Sequence, residues 1–180
     1  MTALFYAVFG LGLALGLLMA VGSLLPRTHR ATSRIRLRLP PEMTWAVVRN
    51  LESVPGWWAE IRKSERLPDQ VGQERYRQTL GNSFGMTLVV AESVPARLLR
   101  TTIDAPPGAA FGGSWIYELK PAQEGTELRV TEEGWIGNPL FRVLARVMGY
   151  HRTLDSYLAA LSRRLGETAI PEHVSSATPG

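Results

Sequence analysis

Thr126–Glu167, TELRVTEEGWIGNPLFRVLARVMGYHRTLDSYLAALSRRLGE, is the stretch whose reading decides the fold. Its first residues alternate as in a strand, with Leu128 and Val130 on one face. Gly134, Gly137 and Asn138-Pro139 then break the alternation. Proline suits the first turn of a helix, where its missing N–H is no loss, and Asn138 is a good N-cap. From Leu140 onward, a stripe recurs at spacings of three and four through Leu144, Val147, Met148, His151, Leu154, Leu158, Leu161 and Leu165, and Gly166 supplies a stop. The spacing predicts one helix of about 27 residues, roughly 40 Å long at 1.5 Å per residue. A helix with one continuous apolar stripe needs a broad sheet to lie across. A curved sheet gripping it leaves a cavity between the two.

Working back to the amino terminus, the 180 residues allow one ordinary domain plus an extension. There is no cysteine, which excludes disulfides, thiolate metal sites and cysteine nucleophiles. The formal charge of +4 is uneven: residues 1–38 hold five arginines and no acid, leaving fifteen basic against sixteen acidic residues beyond them. The basic balance therefore belongs to one short segment, and no basic nucleic-acid-binding face is expected. Ala3–Leu25 is uncharged, and its 23 residues would span about 34 Å as a helix, enough for a hydrocarbon core of about 30 Å. It reads as a transmembrane anchor (residues 1–26). The competing reading is a cleaved signal peptide, with Ala20 and Gly22 as small residues before a cut, but that needs a positive n-region. Arg27, Arg30, Arg34, Arg36 and Arg38 follow at once, which by the positive-inside rule places the N-terminus outside and the domain in the cytoplasm. Gly12 and Gly16 form a GxxxG pair suited to weak homodimerisation.

Residues 27–32 read as a basic linker. Ser33–Leu39 then alternates, with Ile35, Leu37 and Leu39 opposite Arg34, Arg36 and Arg38. Pro40-Pro41 ends that strand and opens a short helix to Leu51. A second short helical turn is expected from Trp57-Trp58 toward Ile61. From Arg66 to Glu133 the chain gives strand-length segments divided by turn signals at Asp69–Gly72, Gly81-Asn82, Pro95-Ala96 and Pro121–Gly125. The loop APPGAAFGG, 105–113, is of the kind found at a pocket mouth. Leu128 and Val130 inward place Glu132 inward as well, unless a bulge near Gly134 swaps it with Glu133. The order is α+β with meander connections and no βαβ repeat. Residues 168–180 read as a disordered tail.

Three segments carry a family resemblance: IRLRLPPEMTWAVVRNLESVPGWW, GGSWIYELKPAQEGTELRVTEEG and NPLFRVLARVMGYHRTLDSYLAALSRRLGE. Residues 33–167 resemble the START-like superfamily, also called the SRPBCC or polyketide cyclase/dehydrase-like group. The resemblance implies a helix-grip fold: an antiparallel curved sheet wrapped around a long C-terminal helix, with two short helices after the first strand. It implies no universal catalytic motif, because members include lipid-transfer, hormone-binding and quinone-binding proteins and aromatase/cyclases.

The site candidates come from the residues. Tyr76, Leu99, Trp115, Tyr117, Glu132, Met148, His151 and Leu154 are expected to line the cavity. His151 sits on the helical stripe with Asp155 four residues on, a carboxylate able to orient an imidazole. Glu132 needs a partner if it points inward, and Arg152 or His151 are the candidates. The favoured readings are structural: a histidine at the stripe's edge, hydrogen-bonded to backbone or Asp155, and an ion pair for Glu132. His29, His151 and His173 fall in a linker, a helix and a tail, so no metal site is expected. No cofactor motif occurs. The expected function is a membrane-anchored protein that binds a small hydrophobic ligand (lipid, quinone or polyketide-like). The alternative is a cyclase, dehydratase or hydrolase on a hydrophobic substrate, with Glu132 and His151 as acid/base. A membrane-tethered interaction module would share the same apolar pattern.

Overall fold

The computed structural model describes residues 2–174, with side chains from Tyr6 onward except Ala7. Helix α1, Thr2–Leu24, is followed by strand β1, Thr28–Leu37, helix α2, Pro41–Val48, and a 3-10 turn, Leu51–Gly56. Six strands come next: β2 Ile61–Gln70, β3 Gln73–Leu80, β4 Phe84–Val94, β5 Leu98–Ile103, β6 Phe111–Ala122 and β7 Gly125–Ile136. Helices α3, Pro139–Met148, and α4, His151–Arg164, and a two-residue strand β8, Glu172–His173, complete the order. The strands form one antiparallel sheet, β2-β3-β4-β5-β6-β7-β1-β8. This is the α+β helix-grip architecture, with the two expected short helical elements after β1.

The core follows from alternation. On β1, Ala31, Ser33, Ile35 and Leu37 are buried, and on β7 so are Leu128 and Val130. Leu154, Tyr157, Leu158 and Leu161 of α4 close over them. Burying one such side chain contributes about 1.5–3 kcal/mol, so this stripe fixes where α4 lies.

Four sequence expectations are corrected here. The single long helix is two. Asn138 Oδ1 caps α3 by accepting from Leu140 N at 2.9 Å, but Gly149 ends it with φ 81° and ψ 136°, a conformation that excludes helical continuation. The periodic stripe runs across the break, so periodicity alone could not reveal it. Residues 27–32 are no linker, because β1 starts at Thr28 and pairs with β7 from Thr28↔Trp135 to Leu37↔Thr126. The tail is ordered over its described part. Ser33↔His173 and Arg34↔Glu172 pair β8 with β1, and Arg34 Nη2 reaches Glu172 at 2.9 Å; residues 175–180 lie outside the described residues. The expected helical turn toward Ile61 gives way to the start of β2, and the 3-10 turn lies earlier, at Leu51–Gly56.

Helix α1 packs against α3. A Cβ at Gly22 would collide with the Pro139 carbonyl, so only glycine permits this approach. Among the described residues no helix is long and apolar enough to cross a membrane. The continuous described run of side chains on α1, Val8–Leu24, has 17 residues, about 26 Å at the helical rise. Leu11, Leu13, Leu17 and Val21 are exposed, and no atom lies within 4 Å of a Cβ built at Gly12 or Gly16.

Candidate functional site

Inward-pointing residues of seven strands, β1 to β7, stop short of α3 and the start of α4, and the space between is a cavity of about 460 Å³. Ile61, Met86, Ile103 and Phe111 make its sheet wall, and Leu144 and Met148 its helical wall. Trp58, Trp115, Tyr117 and Tyr157 form an aromatic group on one side. Trp115 and Tyr157 meet edge-on at 5.5 Å and Tyr117 and Tyr157 at 5.6 Å, offset geometries that favour ring pairs. Phe141, Leu144 and Met148 line the cavity yet are 46–53% exposed, so it opens past α3. Within the 105–113 segment Gly112 has a packing reason: the Trp135 ring lies where a Cβ would stand.

Few polar groups face this space. Glu132 lies in the wall, opposite Ala31 on β1 and Trp115 on β6, with no bulge before Gly134. Its carboxylate meets His29 Nε2 at 3.1 Å, and the His29 ring stacks on Tyr150 with centroids 4.4 Å apart. Gly134 makes room for that ring, since a Cβ there would stand 2.5 Å from it. Nε2 donating to Glu132 leaves Nδ1 a buried lone pair without a partner among the described residues. A second polar group is Tyr117, hydrogen-bonded to Thr101 and Tyr157. Burial pushes both phenols well above their ordinary pKa, so they remain neutral hydrogen-bonding groups in an apolar wall.

Of the expected lining residues, Trp115, Tyr117, Glu132 and Met148 stand in the cavity wall. Leu99 and Leu154 do not: both are fully buried in the core, where sheet and α4 touch and no space remains. Tyr76 packs in that core with its hydroxyl turned to Glu74 at 3.0 Å, under Arg66. His151 is also displaced. Its Nδ1 lies 3.2 Å from Ser33 Oγ, which donates to Asp155 Oδ1 at 2.7 Å, while His173 Nε2 meets Asp155 Oδ2 at 2.7 Å. Burial, then the neighbouring His173, hold the His151 imidazole below its usual pKa, against the pull of Asp155 and Glu132. The expected partner of Glu132 is thus corrected from His151 or Arg152 to His29. The histidines also do converge in part, because β8 brings His173 back to α4.

His29 was missed because it was assigned to a linker. Extending the β1 alternation two residues toward the N-terminus from Ala31 would have placed it inward. Arg142 of α3 is a buried cation, 4% exposed. Its guanidinium donates to the carbonyls of Gly22 (2.9 Å), Leu25 (3.2 Å), Ile136 (3.0 Å) and Gly137 (2.8 Å). It thereby satisfies carbonyls that the end of α1 leaves open.

A curled antiparallel sheet holding helices over an apolar cavity with a few inward polar groups is the helix-grip arrangement. The chain belongs to the polyketide cyclase/dehydrase and lipid transport family, which it matches over residues 28–166. No curated protein sequence matches it. Solved structures of the same fold include a START superfamily protein from Mycobacterium smegmatis. It is 18% identical, with 78% of this chain and 98% of that one covered at a TM-score of 0.60. A conserved protein from Geobacillus kaustophilus is 15% identical over 81% and 100%, with a TM-score of 0.63. The di-domain ARO/CYC StfQ from the steffimycin biosynthetic pathway is 11% identical over 77% and 52%, with a TM-score of 0.61. At these identities the likeness is one of fold.

Proposed function

We propose that this chain is a membrane-anchored binding protein for a small hydrophobic ligand (a lipid, quinone or polyketide-like molecule) held in the cavity between sheet and helices. The observation that carries the reading is the cavity itself. Its volume of about 460 Å³ falls among ligand sites of roughly 300–1,000 Å³, and its walls are apolar and aromatic. Binding works by removing apolar ligand surface from water at about 25 cal/mol per Å². Glu132, His29 and the neutral Tyr117 supply the hydrogen bonds that fix orientation.

The anchoring half of the proposal rests on α1. In sequence Ala3–Leu25 is uncharged, and its 23 residues would extend about 34 Å as a helix, a bilayer core's thickness. Arg27 and Arg30 follow it, an orientation signal for a cytoplasmic domain with the N-terminus outside. The cavity opens beside α3, the helix against which α1 packs, so a ligand dissolved in a bilayer would have a short path in. Weak pairing of two copies through Gly12 and Gly16 belongs to the same reading.

Native mass spectrometry of the full chain, released from membranes in mild detergent, tests the binding half. A reproducible added mass that disappears in Trp115→Ala supports it, and an added mass indifferent to that change overturns it. Carbonate extraction tests the anchor: a chain released from membranes by alkaline carbonate has none. A second reading, a cyclase, dehydratase or hydrolase, is favoured by Glu132 lying in the cavity wall with a histidine on its carboxylate, the arrangement of an acid/base pair. It requires the bound species to be converted, seen as a change in mass or in chromatographic retention, on incubation with the wild type and to persist unchanged with Glu132→Gln.

A further inference from the structure

The group Ser33, His151, Asp155 and His173 lies outside the cavity, and ligand binding there leaves it unused. His151 and Asp155 stand one turn apart on α4, spaced i and i+4 so that both face the same strand. His173 arrives from β8, placed by its register with Ser33. One ligand-competent atom from each of His151, Asp155 and His173 lies within 4.8 Å of the other two. We infer that these three side chains bind a first-row divalent transition-metal ion of the zinc type and so clip the C-terminal strand to α4 and β1.

The donor set is the first argument. Two imidazoles and one carboxylate form the nitrogen and oxygen set that zinc, nickel and copper prefer to calcium or magnesium. Tetrahedral zinc with bonds of about 2.0–2.1 Å sets its ligand atoms about 3.4 Å apart. Closing from the present spacing needs about an ångström of side-chain movement. The two imidazoles, now stacked with centroids 3.9 Å apart, would splay so that one nitrogen of each turns to the ion. His173, its side chain 58% exposed on a two-residue strand, has the freedom to move.

Support behind the ligands is the second argument. Ser33 is fully buried, and its hydroxyl donates to Asp155 Oδ1 at 2.7 Å, leaving Oδ2 turned toward His173. A buried hydroxyl that orients a carboxylate is the kind of outer partner metal ligands carry. With three protein ligands, the fourth position is left for water or an exogenous group. His151 also follows directly on Tyr150, whose ring covers His29 at the cavity, so an ion here would stiffen the turn at the cavity rim.

The test is calorimetric titration of zinc chloride into the untagged, chelator-stripped full chain in detergent, with Asp155→Asn and His173→Ala beside the wild type. We expect one ion per chain, an affinity at least about tenfold weaker in each variant, and a zinc-dependent rise in Tm that His173→Ala removes. His173 is largely exposed on a two-residue strand, so that variant keeps the fold, which its circular dichroism spectrum checks. Should Asp155→Asn fail to fold, His173→Ala and His151→Asn decide between them. Binding that is absent from the wild type, or undiminished in His173→Ala, overturns the site.

Discussion

Helices α3 and α4 continue one apolar stripe and have opposite fates. On α4 the stripe is sealed: Leu154, Leu158 and Leu161 have no exposure at all. On α3 it is open, with Phe141, Leu144, Val147 and Met148 between 46% and 79% exposed, while the charged Arg142 is the buried residue. One helix closes the core and the other forms one wall of the cavity. Gly149 divides these roles. Equal hydrophobicity in sequence therefore does not mean equal burial; what decides is whether the sheet reaches far enough to cover the helix.

The largest effect is expected where the stripe is sealed. Leu158→Ala should lower stability by about 2–5 kcal/mol through lost burial and a residual cavity, read by chemical denaturation. A loss under about 1 kcal/mol would mean that α4 does not grip the sheet as described. Arg142→Ala should come next, with about 2–4 kcal/mol lost because four carbonyls lose their donors. Hydrogen exchange should show the loosening confined to residues 20–27 and 136–150, which would sharpen the view of α3 as a separately held unit.

Gly149→Ala should cost about 1–3 kcal/mol, since its backbone lies where only glycine is at ease although nothing crowds a Cβ there. Hydrogen exchange would also reveal whether α3 and α4 then fuse into one helix. Smallest is Leu144→Ala. At a half-exposed position it should move stability by only about 0.5 kcal/mol while lowering ligand retention in native mass spectra. If Leu144→Ala and Leu158→Ala proved equally destabilising, the division between the two helices would fail.

Most of the sheet was legible because alternation and turn chemistry coincide. Val71-Gly72 shows it: the two residues adopt φ 52° and 74° and join Gln70 to its partner Gln73, the two-residue hairpin that a glycine signals. The inward position of Glu132 was legible for the same reason. What escaped reading was set by tertiary contact. Nothing local says that Arg142 will be buried by the end of α1, or that a tail with the sequence PEHV will add a strand to β1. The cavity residues Trp115 and Tyr117 could be read from alternation, whereas Leu99 shares that alternation and lies in solid core. Periodicity gives the face of a strand, not how far along it the helix stays in contact.

The far edge of the sheet has a consequence of its own. Among the described residues strand β2 has a neighbour only in β3, so its outer rim of backbone N–H and C=O groups is open to an extended chain that meets it. That rim carries Arg62, Lys63, Glu65 and Arg66, contains Pro68, and is interrupted by irregularities at Ile61/Lys63 and Leu67/Gln70. Each feature obstructs the addition of another strand, by charge, by a missing donor or by broken register. The sheet is thereby poorly suited to grow into fibrils or to swap strands between copies, even at high local concentration.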